Sequence, residues 1–500
     1  MGERICEMLS VAEIKQFMDE DRASTKKRRA AEGQRYYEAE HDILNYRLFY
    51  YNNDGKLVED TTRANIKISH PFFTILADQL SAFMVSFKEN PIRAKEGVEG
   101  LQEHLDQYFD DEFWAEIETL INGAYVKGFE YLYGYKGEND KLQFQVADSM
   151  GVVEVRGKYT SDGKDYKIYH YVDTDLTDKG KRTVVRIEVW DDQCIYFYIL
   201  DSENGEIKKD DSVPLNPRPH ALYTDEKTGE KLGLPLGFLP FWRLDNNKKQ
   251  FSGLKPIKSI VDDYDLHACS LSNNLKDFDT PIYAVVGFEG HDLGELQMNL
   301  KTKKVVGVGE GGDVEVRTVE IPYQARKEKL SIDKEAIFMF GMGFDPTMVG
   351  DGNVTNVVIL SRYGLLELKA NKLQKNVNRL LKQVVKVVLE EINNELETDY
   401  QLSDIKPFAF ERTLMTNESE NIANEKVKAE TKQIAINTIL NVAANIGDEE
   451  ALRLICEELD IDFDEIKGEL EKKQEEQNLI DAKKTLETVV VDPEDPAVNE

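Results

Sequence analysis

From about residue 355 to 397 the chain carries one long amphipathic helix pattern, and it starts almost directly after a glycine-bearing loop. Leu366, Leu373, Val377, Leu380, Leu381, Val384 and Val388 form an apolar stripe along it. Such a stripe must be covered, so the rest of the chain has to supply a core beside it. Next to it run Arg362, Lys369, Lys372, Lys375, Arg379, Lys382 and Lys386, spaced 7, 3, 3, 4, 3 and 4. At helical spacing these make one basic stripe. Two readings stand: a solvated side of an ordinary helix, or a basic face turned to DNA or to an acidic neighbouring subunit. Gly364, near the start, weakens the helix by about 0.5–1 kcal/mol relative to alanine and marks a candidate bend. Val354, Thr355, Val357, Val358 and Ile359 are β-branched and weakly helical, so the junction with the loop is expected to shift.

The loop before this helix has the glycines of a phosphate cradle but lacks GK[ST], the lysine and Mg²⁺-binding hydroxyl of a nucleotide-binding loop. Asp345 and Asp351 would repel a nucleotide. Gly307, Gly309 and Gly312 satisfy GxGxxG, with Gly311 between the last two. A dinucleotide site needs a helix after the glycines, whereas DVEVRTVEI follows and alternates like a strand. The glycines are expected to form a hairpin turn. Asp262, Asp263 and Asp265 lie within one helical turn and are expected on a solvated face, because metal catalysis needs ligands converging from several elements. No nucleophile elbow occurs and the histidines are scattered, so no active site, metal or cofactor is expected.

The chain has 94 acids against 63 Lys and Arg, a net charge of −31 and a pI near 4.8. A sequence-specific nucleic-acid binder normally shows a basic face, so tight phosphate binding is not expected of the chain as a whole. Cys6, Cys194, Cys269 and Cys456 are far apart in sequence, as buried small side chains in a reducing compartment would be. The N-terminal segment has acids within its apolar pattern, which suits an amphipathic helix rather than a signal peptide. No apolar run reaches the roughly 18 residues of a membrane span.

Along the chain the pattern is α+β. A helix is expected over about 10–38, with KKRR at 26–29 on its solvated side. A hairpin turns at Asn53-Asp54-Gly55. A helix follows with Ser69 as N-cap and Pro71 in its first turn, then helices over about 98–109 and 112–128. Six strand patterns run from FEYLYGY to CIYFYIL, with a turn at Gly137–Asp140. Pro235 and Pro240 keep the next segment extended. Ser252 opens a helix to about Phe278. A short β run, a second β unit and a helix over about 325–343 lead to the glycine loop. Residues 401–475 read as helices of alternating charge, and the last 25 residues as a disordered acidic tail.

The stretches RYYEAEHDILNYRLFYYNNDGKLVEDTTRANIKISHPFFTILADQ, VKGFEYLYGY, LPFWRLDNNKKQFSGLKPIKSIVDDYDLHACSLSNNLKDFDTPI and LLELKANKL occur in this order. In them, over roughly residues 30–470, the chain resembles the portal proteins of tailed phages, the head-to-tail connectors of siphophages of Gram-positive hosts. The resemblance implies an α+β portal fold. Its parts would be an N-terminal α/β wing (1–255), stem helices (256–278 and 326–344) and a small β-containing clip (279–325). A tunnel loop (345–356), a long kinked wing helix (357–400) and a helical crown (401–475) would follow. The tail, 476–500, matches no phrase of the family. Asp345, Pro346, Thr347, Met348, Val349, Gly350, Asp351, Gly352 and Asn353 would face DNA in the tunnel loop. Gly307, Gly309, Gly311 and Gly312 would turn the clip hairpin. The resemblance further implies a homo-oligomeric ring of about twelve subunits at one capsid vertex of the virion, assembled in the bacterial cytoplasm. Duplex DNA would pass through without sequence readout. Terminase, scaffold, major capsid protein and a head-completion or adaptor protein would be partners, with no membrane and no catalysis.

Overall fold

The computed structural model describes residues 9–136, 141–177, 180–201, 205–224, 231–278, 282–288, 292–298, 308–317, 322–345, 347, 356–412, 418–459, 463, 466–468 and 472. The expected turn at 137–140 and the tail, 476–500, lie outside them. Two compact units are present: Met1–Val349 with Leu360–Leu414, and Gly350–Ile359 with Met415–Glu500.

The first unit opens with α1 (Val11–Ala23) and α2 (Thr25–Tyr37) in place of one helix. Ser24 parts them. Its backbone is extended at φ −65°, ψ 147°, and its hydroxyl accepts the Lys27 N–H at 3.2 Å, which caps α2. The hairpin β1 (Phe49–Tyr51) and β2 (Leu57–Glu59) forms as expected. Gly55 takes φ +71°, and Asn52 Oδ1 accepts the N–H groups of Asp54 and Lys56 at 3.0 and 2.9 Å. Helix α3 (Phe72–Val85) has Pro71, not Ser69, at its N-cap. The approach is fixed instead by the His70 N–H, which donates to Asp265 Oδ1 at 3.1 Å. Then come α4 (Leu101–Tyr108) and α5 (Asp111–Lys127); Asp110 caps α5 through the Phe113 N–H, and Gly128 ends it at φ +93°.

The strands are β3 (Phe129–Lys136), β4 (Leu142–Ala147), β5 (Val152–Val155), β6 (Tyr166–Thr177), β7 (Gly180–Trp190) and β8 (Cys194–Leu200). The short β9 (Ile207–Lys209), β10 (Arg218–Pro219), β11 (Ala221–Thr224), β12 (Lys231–Leu234) and β13 (Phe241–Asp245) follow. One antiparallel sheet has the order β13–β3–β4; another runs β10–β8–β7–β6–β5 with β9 on β8; β11 and β12 form a ribbon. Pro240 sits just before β13, where its missing N–H costs no ladder bond. Trp190, Ile195 and Phe197 of the larger sheet pack on Phe129, Tyr131 and Phe241 of the smaller.

Only part of the KKRR run is a solvated face: Arg28 and Arg29 are exposed, whereas Lys26 and Lys27 turn inward. Lys26 lies 3.7 Å over the Phe129 ring and Arg29 4.9 Å over Phe251. Lys27 is buried. Its ammonium donates to the carbonyl oxygens of Ser149, Met150 (3.2 Å) and Val152 (2.9 Å) and pairs with Asp21 at 2.8 Å. The charged ends of Lys26 and Lys27 thus find partners inside the fold.

After β13 come α6 (Lys258–Phe278), β14 (Ile282–Phe288), α7 (Leu293–Met298), β15 (Val308–Arg317), α8 (Tyr323–Phe340) and α9 (Asn356–Leu396). Helix α6 starts after Pro256, which a helix interior would not accept. It pairs with α8, where Lys329 binds Asp263 and Asp333. The 41-residue α9 is one continuous helix. Its stripe Leu366, Leu373, Val377, Leu381, Val384 and Val388 is buried in the main core with α3, α4, α5 and the β3–β4 face. Residues 401–412 are not helical beyond the turn Leu402–Asp404. They return along the first unit through the bridges Ala94↔Ile405 and Phe87↔Arg412.

In the second unit α10 (Glu418–Ile446) and α11 (Asp448–Leu459) pack together across Gly447, at φ +88°, with Ala451 and Cys456 buried.

Candidate functional site

The segment that launches the expected tunnel loop is fixed by chemistry on three helices. Helix α8 ends at Gly341, whose N–H donates to Ile337 O at 2.8 Å. Met342 turns the chain at φ +53° and the Gly343 N–H donates to Phe338 O at 3.0 Å. Gly341 and Gly343 lie so close to Leu76 of α3 that a Cβ on either would collide with it. Gln79 of α3 then clamps the backbone of Phe344 on both sides: Nε2 donates to its carbonyl at 2.9 Å and Oε1 accepts its N–H at 3.3 Å. The Phe344 ring lies 4.9 Å from Tyr363 of α9.

Asp345 is not a free repelling acid. Its side chain is almost wholly buried and pairs with Lys334 at 2.7 Å. It also accepts the N–H and hydroxyl of Thr347 at 2.9 and 2.8 Å. Burial alone would raise its carboxyl, but the bond from Lys334 and those from Thr347 outweigh it and hold the carboxyl below its ordinary value. Thr347 is exposed. Pro346, Met348, Val349, Gly350, Asp351, Gly352 and Asn353 lie outside the described residues. Gln79, Leu76 and Lys334 escaped the sequence reading. The available signal was the pair Gly341 and Gly343, which implies close backbone approach.

Lys369 leaves the basic stripe. It is turned about 60° from Lys372 around the helix, toward the buried seam. Its ammonium donates to Gly341 O at 2.9 Å and lies 4.6 Å over the Tyr125 ring. Burial pushes its pKa down to about 7. Lys372, Lys375, Arg379, Lys382 and Lys386 remain exposed on one side of α9. Within this row Lys386 pairs with Glu390 at 3.6 Å, both in solvent.

Gly309, Gly311 and Gly312 do not turn a hairpin between two successive strands. They lie inside β15, between Val308, which pairs with Phe288, and Asp313, which pairs with Val286. Four residues thus oppose Gly287 in a wide bulge, with Gly287 at φ +70° and Gly311 at φ +84°. A Cβ on Gly312 would meet Val286 O at 2.7 Å, so the strands approach closely there. Gly307 lies outside the described residues.

Asp265 is not on a solvated face either. It is fully buried and binds His41 Nδ1 at 2.6 Å and His70 Nδ1 at 2.7 Å. Burial would raise its carboxyl, yet the bonds from His41 and His70 hold it low. Asp262 accepts the Tyr36 hydroxyl and pairs with Lys258 at 2.8 Å. This cluster fastens α6 to α2 and to the entry of α3. Among the described residues no group of three His, Cys, Asp or Glu could hold a metal ion, and no helix is long and apolar enough to cross a membrane.

Comparison with known proteins matches residues 19–478 to the family described as "Phage portal protein, SPP1 Gp6-like". The chain is 26% identical over 391 residues to the portal protein of Bacillus phage SPP1, covering 78% of this chain and 75% of that protein. It is 24% identical over 403 residues to the portal protein of Clostridium phage phiCD119, covering 77% and 83%. Two similar solved structures are the neck of an empty GTA particle computed with C6 symmetry and the neck of a native one computed with C12 symmetry. Their TM-scores are 0.38 and 0.35, at 14% and 13% identity, covering 77% of this chain and 90% and 89% of theirs. The family match runs from α1 to beyond α11, so the chain belongs to the phage portal protein family, SPP1 Gp6-like.

Proposed function

We propose that this portal protein assembles as a closed ring of about twelve subunits at one vertex of a phage head. Double-stranded DNA passes through its axial channel, driven in by the terminase and later released toward the tail. The observation that carries this reading is the family match over residues 19–478. In this assignment α6 and α8 form the stem, and the β14–β15 pair with α7 forms the clip that meets the terminase and then the adaptor proteins. Residues 345–356 form the tunnel loop, the first unit up to α6 with α9 the wing, and α10 and α11 belong to the crown. Scaffold and major capsid protein surround the ring, which is built in the host cytoplasm, and the chain catalyses no reaction itself.

The charge of −31 supports a conduit. Each phosphate neutralised by a lysine releases counterions and stabilises a bound state. Repeated around a ring at one height, such contacts would hold the duplex. An acidic wall lets it slide.

The decisive experiment is native mass measurement with negative-stain microscopy of the purified protein. An annular particle of about a dozen copies with an axial hole is expected. A monomer that degrades DNA with Mg²⁺ would overturn the reading. Deleting Met348–Gly352 is expected to leave the ring intact and impair packaging; unimpaired packaging would refute the tunnel-loop assignment.

A further inference from the structure

On α9, Lys372, Lys375, Arg379, Lys382 and Lys386 are exposed within an arc of about 80° and span about 21 Å of helix. Their one ion pair among the described residues is Lys386 with Glu390 of the same helix. A second surface of the first unit has the opposite character. Residues 96–126 contain nine Asp and Glu and no Lys or Arg. There Glu99, Glu103, Asp106, Asp111 and Glu112, on and beside α4 and α5, are exposed and form no ion pair among the described residues. One subunit therefore carries a row of five cations and a field of five anions that do not neutralise each other.

We propose that the α9 cation row of one subunit docks on the α4–α5 acidic surface of a second copy of this chain. This rests on the ring reading above and specifies its interface. Closed rings use heterologous contacts, in which two different surfaces of the same chain meet. A chain that carries both members of a complementary pair, unpaired at home apart from Lys386 with Glu390, fits that geometry. Duplex DNA would cover the cations but leave the anions uncompensated. A second copy satisfies both, and it does so in equal numbers at every contact. Opposed charge rows also reject misaligned or inverted neighbours by placing like charges together.

Three chains test the contact. The first carries Lys372→Glu, Lys375→Glu and Lys382→Glu. The second carries Glu103→Lys, Asp106→Lys and Glu112→Lys. The third carries all six. Sedimentation velocity reads the protein concentration at half-assembly. Either triple variant is expected to raise it on the order of tenfold to a hundredfold, since each surface pair changes from attraction to repulsion. The sixfold swap is expected to return it to within about threefold of the original. Wild-type assembly with unaffected triple variants overturns this interface alone, as does a sixfold variant no better than the worse triple. A cation-row variant that assembles normally but fails to package DNA reassigns the row to DNA. A wild-type chain that never oligomerises overturns the ring reading itself. Circular dichroism reports folding. Should a triple variant not fold, salt decides: wild-type assembly that weakens steeply with ionic strength supports the contact, and salt-insensitive assembly refutes it.

Discussion

His41 Nδ1 lies 2.6 Å from Asp265 Oδ2, and both side chains are closed to solvent. The other ring nitrogen of His41 faces the carbonyl oxygen of Tyr36 at 3.3 Å, and the two rings stack at 4.5 Å. Two residues 224 positions apart thus join α6 to the end of α2. Asp265→Ala would leave two histidines without their shared acceptor and is expected to cost about 3–5 kcal/mol. The pH dependence has a definite sign. The Asp265 carboxyl is depressed in the folded state, so its contribution is present above the ordinary carboxylate range and is lost as pH falls through the lower folded value. Urea unfolding between pH 2 and 6 (roughly the range around the ordinary carboxylate value) should show that acid slope in the native chain and a shallower one in the variant.

The turn after α8 leaves no room for a side chain at Gly341 or Gly343. A methyl at Gly343 would collide with Leu76 and come within 2.8 Å of Gln79 Oε1. Gly343→Ala is expected to destabilise the chain by about 1–3 kcal/mol. In a double-mutant cycle with Leu76→Ala, which opens the space, the two changes should be non-additive by about 1 kcal/mol in the compensating direction. Additive effects would mean that the contact does not limit the turn.

Lys369 makes the opposite pH prediction. Its amine titrates near 7 in the fold because of burial, and near 10 when unfolded. The unfolded chain therefore binds more protons between those values, and the contribution of Lys369 to stability rises with pH across that interval. Lys369→Met removes that rise. Denaturation midpoints at pH 6.5 and 9.5 (about the two ends of the interval) should converge in the variant relative to the native chain. An unchanged difference would show that the amine is hydrated.

The two sides of α9 should respond unequally to truncation. Leu381 is fully buried in the main core, so Leu381→Ala is expected to cost about 2–5 kcal/mol. Lys375 is exposed, and Lys375→Ala should change subunit stability by no more than about 0.5 kcal/mol. Any larger effect on assembled particles would then report the contact and not the fold.

Much of this fold was legible because its signals are local. The aliphatic stripe of α9 repeats at helical spacing over many turns, β6 and β7 alternate like half-buried strands, and β8 is one apolar run, CIYFYIL, buried on both faces. What stayed hidden depends on partners remote in sequence. A lysine or aspartate on a helix is normally solvated, and nothing near Lys369 or Asp265 announces Gly341, Tyr125, His41 or His70. Ser69 satisfied the rule for an N-cap, yet the entry to α3 is set by His70 and Asp265, a tertiary contact that overrode local preference. The glycines 309–312 have the look of a turn, but the partner of β15 is β14, across α7, and pairing with it makes them a bulge.

Lys27 has a consequence of another kind. Its ammonium sits among three backbone oxygens and a carboxylate, the surroundings a small cation would take in a loop built to bind one. Here the cation is tethered to the chain by its own side chain. The bend from Ser149 to Val152 thus arrives with its counter-ion attached. Its order should be indifferent to chelators and to the ionic content of the surrounding medium.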